Sequence, residues 1–187
     1  MPDTTGTTGT GTQNTAHPAS AVNAGRWALD AEHSSVHFSC KGFWGLANVK
    51  GTFKEIRGEG EVLAGGAAQG TLTLQAASLD TANAKRDKHL RSGDFFDAEA
   101  HPEMVFTTRS IAPAGTDTVE VAGDLTIRGV TQPLTFTARL TDAGPAAVTI
   151  TADLPVRKLD FGMTWNWMGS LKDPAHVLVT ARFVHKG

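Results

Sequence analysis

The sequence predicts an all-β fold: many short antiparallel strands closed into a barrel and interrupted by one short helical insert. Three observations predict it. From Trp27 onward, apolar residues recur at every second position, the period of a strand with one face on a core and the other in water. Turn-forming residues punctuate these runs at Gly58, Gly65-Gly66, Gly115, Gly129, Gln132-Pro133 and Gly144-Pro145. Only the stretch from Asp80 to Pro102 leaves this rhythm for a helical one. A barrel is preferred to a sandwich because the apolar face runs through almost every strand and leaves no obvious charged edge.

The elements follow in order. Residues 1–25 are mostly Thr, Gly, Ala and Asn with no apolar block, so they are expected to form a disordered tail that folding does not need. Residues 26–187 are expected to form the barrel domain. The tail lacks the charged start and the apolar run of roughly 7–15 residues that a secretory signal requires. No stretch approaches the roughly 18 apolar residues of a membrane span. The expected location is therefore the cytoplasm, without stable membrane insertion. Val36, Phe38 and Cys40 mark an early strand, and Leu72 and Leu74 another. Val119, Val121, Gly123, Leu125 and Ile127 alternate with polar neighbours, as do Leu134, Phe136 and Ala138. Val148 with Ile150, and Val177 through Phe183, complete the set. In the insert, Asp80 or Thr81 is the expected helix cap, Gly93 the expected stop, and Asp94 the cap of a second short turn. Leu90, Phe95 and Phe96 are expected to face inward across one end of the barrel, as a lid or as a plug.

Composition removes several functional classes. Seventeen Lys and Arg against nineteen Asp and Glu give a formal charge of −2, which argues against nucleic acid as a partner. Cys40 is the single cysteine, so neither an intrachain disulfide nor a zinc-ligand pair of thiolates can form. His33 and His37 would share one face of a strand, but no third ligand stands at a recognisable spacing, so no metal is expected. No nucleophile elbow, phosphate-binding loop or dinucleotide fingerprint occurs, so neither catalytic residues nor a cofactor is expected. Asp87 and His89 point in different directions on a helix and read as capping or salt-bridge residues rather than a catalytic pair.

The aromatic residues are more informative. Phe38, Phe53, Phe106 and Phe136 fall on the apolar strand faces, while Met163, Trp165, Trp167 and Met168 crowd a short stretch near the C-terminus. Together with Leu74, Leu90, Phe95, Phe96 and Leu125, they would either fill a core or line a channel suited to a hydrocarbon. Sequence leaves the two open. A bulky residue at a small inward position such as Ala138 would tell them apart.

Several segments together resemble the YceI family of polyisoprenoid-binding, lipocalin-like proteins. They are Trp27-Ala28-Leu29-Asp30 with His33-Ser34 and Val36-His37-Phe38, Val49-Lys50-Gly51-Thr52-Phe53, and Ala77-Ser78-Leu79-Asp80-Thr81. They continue through Arg86-Asp87-Lys88-His89-Leu90-Arg91-Ser92, Asp94-Phe95-Phe96-Asp97, His101-Pro102 with Phe106, Gly123 to Thr131, and Asp160-Phe161-Gly162-Met163. The resemblance implies an extended eight-stranded antiparallel barrel with a lengthwise pore. It also implies a long-chain isoprenoid, prenyl quinone or fatty lipid as the ligand, with carrier, storage or stress roles. Arg86, His89 and Arg91 are the candidates to meet a polar head group at the mouth. The rivals are a filled barrel serving as an interaction module and an enzyme on prenyl substrates, the latter disfavoured by the lack of an Asp-rich magnesium motif. A homodimer through Trp165 and Trp167 is compatible with the sequence without being demanded by it.

Overall fold

The computed structural model describes residues 16–42, 47–165 and 173–187. Its strands assemble into eight antiparallel staves, three of which are broken. The first stave is β1 (Gly25–Leu29) and β2 (Ser35–Gly42), separated by a single 3₁₀ turn at Ala31–His33. The second is β3 (Ala47–Phe53) and β4 (Ile56–Val62), and the third is β5 (Ala68–Gln75) and β6 (Leu79–Asp80), broken at Ala76–Ser78. A helix, α1 (Ala84–Arg91), follows. Five unbroken staves complete the set: β7 (Glu103–Pro113), β8 (Thr118–Ile127), β9 (Val130–Thr141), β10 (Ala147–Val156) and β11 (Ala175–His185). The last closes on the first, with Phe183 opposite Leu29 and Val177 opposite Phe38. Every stave thus has a neighbour on both sides, as the continuous apolar face predicted, although β9 and β10 are laddered only over Arg139–Thr141 and part beyond it.

At 10–12 residues, the five unbroken staves are about twice the usual strand length, so the barrel is long for its width. Alternation sets what faces in. Along β8, Val119, Val121, Gly123 and Ile127 are buried, while Glu120 is exposed. Gly123 has a steric role: a Cβ there would lie 2.5 Å from the Phe106 ring, which occupies the space above it. Two apolar clusters stack along the axis. One gathers around Trp27, Val119, Val121 and Leu154; the other gathers around Val36, Phe53, Leu79 and Met104. Val156, Val177 and Val179 touch both and join them.

Two expected turns prove to be strand interior. Gly58 lies within β4, opposite Leu72. Pro133 lies within β9, where a proline is tolerated because β9 meets β10 only over Arg139–Thr141. Elsewhere its outer edge carries no ladder to interrupt.

The expected tail boundary needs correction for the residues described. Pro18–Ala21 form a 3₁₀ turn whose cap, His17, also reaches Thr118 O at 3.0 Å. Ala19 and Val22 pack on the cluster around Trp27, and Trp27 Nε1 donates to Asn23 O at 3.1 Å. In the sequence they read as tail because two small apolar side chains give no periodic signal.

Candidate functional site

The barrel is hollow. A cavity of about 980 Å³ runs between the two apolar clusters, with Trp27 and Val148 on its wall at one end and Ile127 and Met163 at the other. Its wall is the inward face of the staves, so two-residue alternation alone decides which side chains reach it. The structure places all eleven expected lining residues on this wall: Phe38, Phe53, Leu74, Leu90, Phe95, Phe96, Phe106, Leu125, Phe136, Met163 and Trp165. Ala138 is not among them. It is 1% exposed within the first cluster, whereas Ala152 and Ala181 are small residues that do line the cavity. The wall also includes residues outside the expected lining set, notably Trp27, Val121, Val179 and Lys158. The first three were legible from alternation. Lys158 was not, because it stands on a 3₁₀ turn at Lys158–Phe161.

The end near α1 is built by a clamp. Asp87 is buried, and its Oδ1 accepts from both the backbone N–H and the hydroxyl of Thr81, at 3.0 and 2.5 Å. Arg86 Nε donates to Thr81 Oγ1 and its Nη2 to Thr81 O, both at 2.7 Å. Arg91 Nη2 donates to Leu79 O at 2.6 Å. These bonds tie α1 to β6. They also explain why neither Asp80 nor Thr81 caps the helix. Thr81 is occupied by the clamp, Asp80 pairs with Lys54 and accepts from Ala82 N, and Asn83 caps instead by accepting from Arg86 N. The helix ends at Ser92 rather than Gly93. Asp94 does not cap a turn but pairs with His89 at 2.9 Å.

Of the head-group candidates, Arg86 and His89 reach the cavity wall, together with Lys85, Lys88 and Lys158. Arg91 does not; its Nη2 is held by the Leu79 carbonyl. Trp165 packs edge-on against His89 at 4.5 Å and tilts against Phe95 at 5.2 Å, so it belongs to this mouth. Trp167 and Met168 lie outside the described residues. Arg128 locks the far side of this same mouth, with Nη1 on Gly162 O and Nη2 on Gly93 O, each at 3.0 Å. It occupies the first place of the two-residue β8–β9 turn at φ 52°, followed by Gly129 at φ 72°. A long side chain is uncommon in that left-handed conformation. Here its two carbonyl bonds offset the strain.

Cys40 is on the cavity wall, and burial pushes its thiol pKa up, with Lys158 and Arg86 pulling partly the other way. Such a thiol is a poor nucleophile. His33 pairs with Asp30 at 2.8 Å on the turn between β1 and β2, while His37 is on β2, facing the outer groove that His176 and Asp153 also line. Among the described residues no three His, Cys, Asp or Glu side chains gather as a metal site, and no helix is long and apolar enough to cross a membrane.

Comparison with known proteins agrees with this geometry. Residues 27–183 match the family model described as a YceI-like domain. A protein YceI of Escherichia coli is 35% identical over 130 residues, 67% of each chain. A UPF0312 protein of Ectopseudomonas mendocina is 35% identical over 125 residues, so the match spans 65% of that relative's length. Among solved structures, BcnA of Burkholderia cenocepacia superposes with a TM-score of 0.75 at 24% identity, covering 82% of this chain and 98% of its own. A polyisoprenoid binding domain from Saccharophagus degradans, implicated in plant cell wall breakdown, gives 0.70 at 15% identity over 86% and 98%. At those identities the two structures speak for the fold.

Proposed function

The chain belongs to the YceI-like domain family, and from that premise we propose that it sequesters one long-chain apolar lipid, a polyisoprenoid or prenyl quinone, along the barrel axis. The observation that carries this is the continuous apolar cavity of about 980 Å³. At roughly 30 Å³ per close-packed heavy atom, the share of one water in the liquid, it holds a chain on the order of 30 atoms. Ligands of that size realise about 0.3 kcal/mol per heavy atom. Some 9 kcal/mol follows, which is sub-micromolar affinity from burial alone.

Head-group recognition is then a matter of the mouth, where Arg86 and His89 stand with Lys85, Lys88 and Lys158. Carriage or storage is the role, with no bond made or broken, and residence in the cytoplasm belongs to the same proposal, to be read by cell fractionation. A cavity of this size also disfavours the filled-barrel module. The test is organic extraction and mass spectrometry of the purified protein, followed by titration with a polyprenol. One stoichiometric long-chain lipid is the expected result. A protein that carries none and binds none would refute the proposal.

A further inference from the structure

We propose that the α1 end of the barrel is a docking face for an anionic lipid bilayer, so that the pore opens directly onto the membrane from which lipid is drawn. Charge is the first observation. The segments that build this end are 84–101, 157–165 and Arg128, and they carry seven Lys and Arg against five carboxylates. The rest of the chain carries ten against fourteen. The molecule is therefore polarised along its axis, positive at the mouth and negative elsewhere.

The net excess at this end is two positive charges, and most of its carboxylates face partners other than the lysines. Asp87 is buried in the clamp, Asp94 is paired with His89 and Asp160 with Arg157, which leaves Asp97 and Glu99 on the adjoining loop. Among the described residues Lys85, Lys88 and Lys158 take part in no ion pair. All three line the cavity, so they ring its opening.

Apolar exposure is the second observation, and it is independent of charge. Among the described residues, two of the four exposed large hydrophobics, Leu159 at 47% and Val130 at 37%, stand on this rim. Gln132 joins their two segments by donating to Asp160 O at 3.0 Å, and half-buried Trp165 stands on the mouth beside them. Basic side chains around a small apolar tip fit a negatively charged headgroup layer over an apolar interior. The opposite end differs in being covered: residues 17–24 pack across it with Val22 on the cavity wall, and of the exposed large hydrophobics described only Leu63, next to the Val62–Gly25 pair, stands there.

The inference adds an exchange site to the carrier proposal but does not depend on it, since its test reads vesicle association rather than lipid content. The full chain is sedimented with vesicles of phosphatidylcholine alone and of phosphatidylcholine mixed with phosphatidylglycerol. Association with the mixed vesicles only, released by high salt, is expected. Neutralising the pair Lys85→Gln and Lys88→Gln weakens it about 25-fold, at about fivefold per basic residue. The pair Leu159→Gln and Val130→Gln weakens it roughly tenfold or more. Arg26→Gln with Lys186→Gln, at the covered end, leaves it unchanged. Each variant is checked for an unaltered melting curve, and the salt dependence of the unmodified chain stands without any variant. No association with mixed vesicles at low salt, equal binding to both vesicle types, or equal loss in the Arg26/Lys186 control would overturn the proposal.

Discussion

Ala152→Phe separates a lipid-holding cavity from a packed core in one measurement. Ala152 sits mid-barrel on β10, opposite Val179, 4% exposed and on the cavity wall. A phenyl ring adds about six heavy atoms, roughly 180 Å³ at the per-atom share used above. That is close to a fifth of the 980 Å³ available. It displaces about six atoms of ligand, which at about 0.3 kcal/mol each is near 2 kcal/mol. Affinity for a full-length chain should therefore fall about 20-fold, and for a chain shorter by those atoms hardly at all. The ring enters empty space, so the melting temperature should hold or rise. The assay is a polyprenol titration by intrinsic Trp fluorescence, paired with a thermal melt. Were the interior packed instead, the same substitution would cost roughly 1–3 kcal/mol by overpacking. That is a fall of roughly 2–12 °C for a chain of this size. A destabilised variant that binds a full-length polyprenol as well as the unmodified chain would refute the reasoning.

The other expectations follow from single contacts. Deleting residues 1–15 should leave the melting curve unchanged, while deleting 1–24 removes His17, Ala19 and Val22 from the barrel end and should lower it by several degrees, as calorimetry will show. Asp87→Ala leaves Thr81 without its acceptor and should cost about 1–3 kcal/mol in denaturant unfolding, with earlier amide exchange in α1 than in β8. Asp80 and Glu103 are held below ordinary carboxylate values, chiefly by hydrogen bonds from Lys54 and Arg57. Their contribution is present above the unfolded pKa of about 4 and is lost as pH falls through the lower folded values; Lys54→Ala should move the Asp80 titration upward in carboxyl NMR. Cys40 should react slowly with iodoacetamide at neutral pH and more slowly still once a polyprenol is bound, measured by mass shift over time.

The wall of the cavity was legible in the sequence because a strand is a binary device: inward and outward side chains alternate, and a run of six residues suffices to tell them apart. Phe38, Phe106, Leu125 and Phe136 needed nothing more. Volume is another matter, because it depends on how far apart the staves stand. Ala138 and Ala152 both lie inward on their strands, yet only Ala152 meets the cavity. Nor does local pattern report tertiary hydrogen bonding. Pro133 reads as a turn until β9 is seen to part from β10, and Arg91 reads as a free cation until Leu79 O is seen to hold it.

The segments 77–81, 86–92 and 94–97 carry the most specific part of the resemblance, and most of their polar chemistry is spent on architecture. Asp87, Arg86 and Arg91 fasten the helix to β6 through Thr81 and Leu79. His89 is held between Asp94 and Trp165. The residues left to meet a ligand are apolar and interchangeable in kind, Phe for Leu or Met for Val, and their contribution scales with area rather than identity. A barrel so built selects its guest by length and by what the mouth tolerates. Discrimination between two lipids of equal length therefore falls to Lys85, Lys88 and Lys158, which stand on the cavity wall outside any ion pair described, and exchanging those lysines should change head-group preference while leaving affinity for an uncharged chain intact.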